Sequence, residues 1–279
     1  MDLIFYSNLW IAVGAAAMYA QTMLLLTGRV RWTHGLAFVF FGTLSLYALH
    51  RVIGLRKVMA FADKGRYKVI YEHRSHIVFY GLVAMVLGAW HFLQLPQKMQ
   101  LWVVPAALLA GAYVLPLGRG GRRLRDFGAI KIFLIALVFA WLTVWLPALE
   151  AGMTGQIATW IMLPERFAFL FAITVPFDIR DREVDLRNDV RTLPVLLGQR
   201  TSLWLAEGAL VVVALCVALN ALIGCYPGGV VAGMALSLIS TAWWVWLSPK
   251  KTHDYYFTGL LDGTMLLQFL LVWAGWHWS

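Results

Sequence analysis

Apolar residues in this chain come in runs about twenty long, separated by short polar stretches. The runs lie near residues 8–26, 33–53, 76–94, 99–117, 129–147, 160–178, 202–223, 227–247 and 256–276. A helix of about 20 residues rises 1.5 Å per residue and matches a hydrocarbon core of roughly 30 Å. The pattern therefore predicts nine membrane-spanning helices and no sheet. Glu165 and Arg166 interrupt the sixth run; they are expected at its outer end, where charged heads snorkel to the interface. The first ten residues, MDLIFYSNLW, lack a basic stretch, and the run that follows is long enough to span, so no cleaved leader is expected.

Composition agrees with the pattern. The 279 residues are 61% hydrophobic and 13% charged, and the mean hydropathy is +0.72. Soluble domains carry about a quarter charged residues, and a soluble core cannot absorb this much apolar surface. The fold class is thus an all-α, polytopic membrane protein, with residues 1–279 read as one transmembrane domain. Cys216 and Cys225 form no metal or redox motif and read as small residues in or near apolar helices.

The net charge of +9 changes the picture through its distribution. Of the 23 basic residues, 19 fall in the connections after the second, fourth, sixth and eighth runs. The positive-inside rule puts those connections in the cytoplasm, with the N-terminus inside and the C-terminus outside, as in a bacterial inner membrane. Excess positive charge then serves orientation, anionic headgroups or an anionic substrate, and no nucleic-acid partner is expected. Several of the 14 tryptophans, such as Trp10, Trp32, Trp102 and Trp276, lie near span ends, as interfacial belts require.

One stretch is unlike the rest. FDIRDREVDLRNDVRTLPVLLG, Phe177 to Gly198, holds four aspartates, a glutamate and four arginines. Successive helical residues rotate by about 100°, so a continuing sixth helix lines up Asp178, Asp181, Asp185 and Asp189. Like charges at i,i+4 repel, and such a stripe needs a cation. Two sources are open. Arg180, Arg182, Arg187 and Arg191 can pair with neighbours such as Asp178 and Glu183, leaving a solvated loop. Alternatively the carboxylates hold Mg²⁺, which holds a diphosphate, since Mg²⁺ takes one or two carboxylates plus phosphate oxygens and arginines suit the remaining phosphate charge. Elsewhere, Asp262 in TGLLDGTMLLQ lies inside the ninth run, and an ionisable group there is costly and a functional-site candidate. Glu207 lies nearer an interface. Asn220 and Gln268 read as interhelical hydrogen-bond partners.

The order of residues goes further. Asp181-x-x-x-Asp185 followed by Arg191-Thr192-Leu193-Pro194-Val195-Leu196-Leu197-Gly198 resembles the second aspartate-rich motif of the UbiA superfamily, the intramembrane prenyltransferases. Tyr113-Val114-Leu115-Pro116-Leu117-Gly118-Arg119 looks like that family's Tyr-x-x-Pro followed by basic residues. The resemblance implies nine transmembrane helices around a central cavity open to the cytoplasm. It also implies a polyprenyl diphosphate as donor, a hydrophobic aromatic, quinone-precursor or other lipid acceptor, and Mg²⁺ on Asp178, Asp181 and Asp185. Arg119, Tyr113 and Arg191 would bind the diphosphate.

The family's first motif, NDxxDxxxD, is missing. Its place reads LYALHRVIGLRKVM, Leu46 to Met59, with no carboxylate, and what stands there is cationic. Arg and Lys clamps can neutralise a leaving phosphate in place of metal, so the family's usual pair of ions is in question. One reading is a single Mg²⁺ on Asp181 and Asp185, completed by His50 and Arg51; Asp262 either faces that cavity or pairs with an arginine of a neighbouring helix. The rival reading is a non-catalytic relative that binds a prenyl or quinone lipid or acts as an assembly partner. His73 and His76, one turn apart beside Glu72 and His50, offer a further three-ligand metal arrangement.

Overall fold

A computed structural model describes residues 8–58, 73–115, 128–187 and 189–278, and all regular structure among them is helical. The long helices are α1 (Leu9–Thr27), α2 (His34–Val58), α3 (Arg74–Leu93), α4 (Gln97–Val114), α5 (Ile130–Glu150), α6 (Ile157–Arg187), α7 (Gln199–Leu222), α8 (Gly228–Leu247) and α9 (Tyr256–His277). Among the described residues, eight of them are long and apolar enough to cross a membrane, and α4 is not. The expectation of nine spans is corrected on this point. The fourth run does form a helix of 18 residues, but it opens on Gln97-Lys98-Met99-Gln100 and carries Pro105 inside, which leaves too short an apolar stretch.

Neighbours in sequence are neighbours in space. α1 packs on α2, α2 on α3, α4 on α5, α5 on α6, α6 on α7, α7 on α8 and α8 on α9, and α9 returns to α1. The main core joins Met18 of α1, Ile132 of α5, Phe169 of α6, Met234 of α8, and Phe257 and Met265 of α9. Large apolar side chains such as Phe79, Leu101, Leu108, Leu215 and Ile239 point outward, as an integral membrane protein requires of its lipid-facing surface. Where α8 meets α9 the backbones nearly touch: a β-carbon on Gly233 would lie 2.4 Å from the Leu271 carbonyl oxygen. One on Gly275 would lie 2.1 Å from that of Gly229. Small residues permit this approach, and in lipid close packing replaces the hydrophobic drive between helices.

Glu165 and Arg166 do not lie at an outer end, and this expectation is also corrected. α6 begins at Ile157, so the pair falls in its third turn, and each is only 1% exposed. Arg166 Nη1 donates to the Met18 carbonyl oxygen of α1 at 3.1 Å. Glu165 Oε2 accepts from the Tyr226 hydroxyl at 3.0 Å, and Asn220 stands beside it. Because α6 packs between α5 and α7, both side chains find protein rather than lipid.

Two turns of wider π-helix interrupt α5 at Trp141–Trp145 and α9 at Tyr256–Leu261. Such turns free carbonyls from the regular ladder and recur at functional sites. Thr22 of α1 donates to the Thr143 carbonyl at 2.7 Å, and Trp10 Nε1 of α1 donates to the Gly259 carbonyl at 2.8 Å. The second turn directly precedes Asp262.

Candidate functional site

The charged segment is the far end of α6, which stays helical through Arg187. Asp178, Asp181 and Asp185 therefore share one face, as 100° per residue dictates. Asp189 does not: it lies beyond the helix in a left-handed conformation with φ 54°, a geometry Asp tolerates better than most residues. The stripe thus ends one carboxylate earlier, at Asp185, than four-residue spacing suggests.

Each of the first two aspartates meets its own cation. Asp178 is buried, and Lys131 Nζ of α5 lies 2.5 Å from its Oδ1. Its oxygens meet no other well-placed hydrogen-bond donor among the described residues. Asp181 accepts from Arg180 at both oxygens, from Nε at 2.8 Å and from Nη2 at 3.0 Å. Arg180 also donates through Nη1 to Asp254, in the connection before α9, at 3.1 Å. The guanidinium carbon stands 4.7 Å from the Phe257 ring centre, a distance at which the ring face attracts a cation. Arg182 turns the other way and donates to the Pro194 carbonyl at 3.0 Å. The expected pairing of Asp178 with an arginine of its own segment is therefore replaced by a lysine from a neighbouring helix.

Local chain geometry explains how Lys131 arrives there. Beyond α6 the chain turns through Asp189 and runs extended at Thr192 into the short helix Leu193–Leu197, with Pro194 at its start. Arg191, whose side chain is exposed, presents its carbonyl to the Ala129 N–H at 2.9 Å. The adjoining Gly128 has φ 57°, and a β-carbon there would lie 2.1 Å from that same carbonyl oxygen. Only glycine fits such an approach. This contact holds the start of α5 against the end of α6 and brings Lys131 over Asp178.

The facing side comes from α2, α4 and α9. His50 and Tyr113 rings sit 6.3 Å apart. Tyr113 and Asp185 both act electrostatically on Lys131, which gathers α4, α5 and α6 at one end of the bundle. Asp262 is half-buried and lies within the fields of Arg180 and Arg51. Tyr47 of α2 lies within those of Asp262 and Tyr113. The structure thus brings together Asp178, Asp181, Asp185, Tyr113, His50, Arg51 and Asp262. Arg119 lies outside the described residues. His73 and His76 stand at the start of α3 with ring centres 6.0 Å apart; their proposed companion Glu72 lies outside the described residues. Sequence reasoning counted Lys131 and Arg180 only as orienting or neutralising charge and overlooked Asp254. A lysine in the first turn of an apolar helix was the available signal for the first.

No three acidic, histidine or cysteine side chains converge closely enough among the described residues to hold a metal ion by themselves. Mg²⁺ does not need that, since it is bound by one or two carboxylates plus phosphate oxygens and water. Asp181 and Asp185, one turn apart, fit that role, and a carboxylate oxygen that accepts from Arg180 keeps a further lone pair. Asp178 fits it less well, because the Lys131 ammonium already lies on it.

The sequence matches the UbiA prenyltransferase family over residues 73–273. The chain belongs to that family. Solved structures of similar fold include a digeranylgeranylglyceryl phosphate synthase, with 14% identity, coverage of 100% of this chain and 99% of the other, and a TM-score of 0.61. An apo UbiA homologue from Aeropyrum pernix K1 has 13% identity, 99% and 97% coverage, and a TM-score of 0.62. A UbiA homologue from Archaeoglobus fulgidus bound to DMAPP and Mg²⁺ has 12% identity, 97% and 98% coverage, and a TM-score of 0.62. At such identities the likeness is one of fold. No curated protein matches the chain.

Proposed function

We propose that this UbiA family member is an intramembrane prenyltransferase that moves a polyprenyl group from its diphosphate to a hydrophobic acceptor, an aromatic, quinone-precursor or other lipid. The observation that carries this is the acidic face at the end of α6, with Asp178, Asp181 and Asp185 gathered opposite Tyr113, His50 and Arg51. A pocket that merely holds a lipid tail has no need of aligned carboxylates. The structural relative from Archaeoglobus fulgidus, bound to DMAPP and Mg²⁺, supports a prenyl diphosphate and Mg²⁺ as the ligands. The positive-inside distribution supports a cytoplasmic opening, with the N-terminus inside and the C-terminus outside a bacterial inner membrane.

In this reading Asp181 and Asp185 hold one Mg²⁺, which when bound neutralises part of the diphosphate charge. Arg51 and His50 from α2, with Arg119 and Arg191, bind the phosphate oxygens, so the charge that develops on the diphosphate as the allylic C–O bond breaks meets fixed cations. The Tyr113 ring offers its face to the allylic cation left behind. The acceptor forms the new bond to that carbon and gives up a proton, and the Asp262 carboxylate, which faces the same site from α9, would take it. The prenyl tail leaves sideways into lipid.

The test is to incubate the protein in liposomes with Mg²⁺, a prenyl diphosphate series and a total lipid extract, and to follow pyrophosphate release and prenylated products by mass spectrometry. A product that disappears in Asp181→Ala and Asp185→Ala is expected, the loss exceeding about a hundredfold if the ion site stabilises developing charge as such sites do. Prenyl diphosphate binding without any turnover, unaffected by either substitution, would favour the non-catalytic lipid binder instead.

A further inference from the structure

We propose that Lys131 is a built-in counter-ion for the innermost aspartate, so that this site takes a single divalent cation, on Asp181 and Asp185, and Asp178 is a ligand of none. The proposal deepens the prenyltransferase reading and rests on it only for the identity of the anionic ligand.

Three observations carry it. First, Lys131 Nζ lies 2.5 Å from Asp178 Oδ1, and the carboxylate is 1% exposed. A buried carboxylate with an ammonium in contact leaves no room for a hydrated dication on the same oxygen, and two cations that close repel. Second, the pairing is built rather than incidental. Lys131 is placed by the Ala129 N–H to Arg191 carbonyl hydrogen bond, which needs the left-handed glycine at 128. Third, the segment Leu46 to Met59 holds no carboxylate in its sequence and is cationic, and His50 and Arg51 of it face the site. That segment therefore supplies no carboxylate to share a second ion, and Lys131 supplies one fixed positive charge on the acidic side. Lys131 is thus a positioning residue: its ammonium lies on Asp178 Oδ1 and holds that carboxylate in place, and the charge of Asp185 also acts on the ammonium.

Mn²⁺, a paramagnetic stand-in for Mg²⁺, allows ions to be counted by electron paramagnetic resonance on the detergent-solubilised full chain, without and with a non-hydrolysable prenyl thiodiphosphate. Wild type is expected to bind one Mn²⁺ per chain. Lys131→Met is expected to expose Asp178 and gain either a second ion or an increase in Mn²⁺ affinity of about tenfold or more. Lys131→Arg should keep the wild-type count. Asp178→Asn should also keep it, which provides a separate arm if Lys131→Met does not fold. Two ions on wild type, a lost ion in Asp178→Asn, or no change in a folded Lys131→Met would each overturn the proposal. Failure of the thiodiphosphate to bind wild type would count against the prenyltransferase reading alone, because the ligand-free Mn²⁺ count still decides the role of Lys131.

Discussion

Replacing Arg166 by leucine tests the buried charges of α6 directly. In the native chain Arg166 Nη1 donates to the Met18 carbonyl, and the Arg166 charge faces Glu165, itself bonded to Tyr226. Arg166→Leu removes the donor and leaves the Glu165 carboxylate without its cation in a site that is 1% exposed. Leaving a buried carboxylate without the positive charge that compensates it costs up to about 3–5 kcal/mol. The Met18 carbonyl adds little, because Thr22 Oγ1 also donates to it at 3.3 Å. If the scale of soluble 150–250-residue domains applies, roughly 2–4 °C per kcal/mol, the unfolding midpoint falls by about 6–20 °C. Intrinsic tryptophan fluorescence of the protein in detergent micelles reads this out during a thermal ramp. The double variant Glu165→Gln/Arg166→Leu removes the orphaned charge and should recover at least half of the loss. An Arg166→Leu protein as stable as wild type, or a double variant no better than the single one, would refute the placement of these two charges inside the bundle.

Two further outcomes follow from close contacts. Gly233→Ala is expected to destabilise by about 1–3 kcal/mol, as overpacking does, because the new methyl meets the Leu271 backbone at 2.4 Å and backbone cannot rotate away; an unchanged thermal midpoint would contradict the α8–α9 contact. Asp254→Asn should cost under about 1 kcal/mol, the range of solvent-accessible pairs, since Arg180 keeps both bonds to Asp181; a larger drop in the same assay would mean that Asp254 anchors the α8–α9 connection.

Most of the architecture was legible because bilayer thickness imposes a length on every span. The expected runs and the observed helices agree within a few residues, as at 202–223 against Gln199–Leu222 and 227–247 against Gly228–Leu247. The acidic face was legible because DxxxD is a helical spacing. What sequence did not reveal is which way a side chain faces. Hydropathy treats Glu165 and Arg166 as an interruption to be pushed toward water, yet a helix flanked by α5 and α7 has protein on both sides and can keep them inside. Partners remote in sequence were equally invisible. Lys131 and Asp178 belong to different helices, and Arg180 reaches Asp254 across 74 positions. Counting basic residues for orientation absorbed Lys131 into a total and concealed that it neutralises one particular carboxylate.

α6 carries two ionic groups, separated by about 18 Å along its axis, twelve residues at 1.5 Å each, and they are built to opposite specifications. Around Glu165 and Arg166 each charge has a protein partner on another element, Met18 or Tyr226, and both side chains are sealed. That is how a fold tolerates charge in a membrane when the purpose is to fix helices against one another. At the other end three carboxylates crowd one face, Asp181 remains partly open to solvent with 31% of its side chain exposed, and Arg180 is divided between Asp181 and Asp254. Like charges one turn apart repel, so this acidic face carries a cost that the sealed pair does not. The asymmetry between the two ends of one helix is consistent with a stabilising role for the sealed pair and supports the ligand-binding role proposed above for the aspartates.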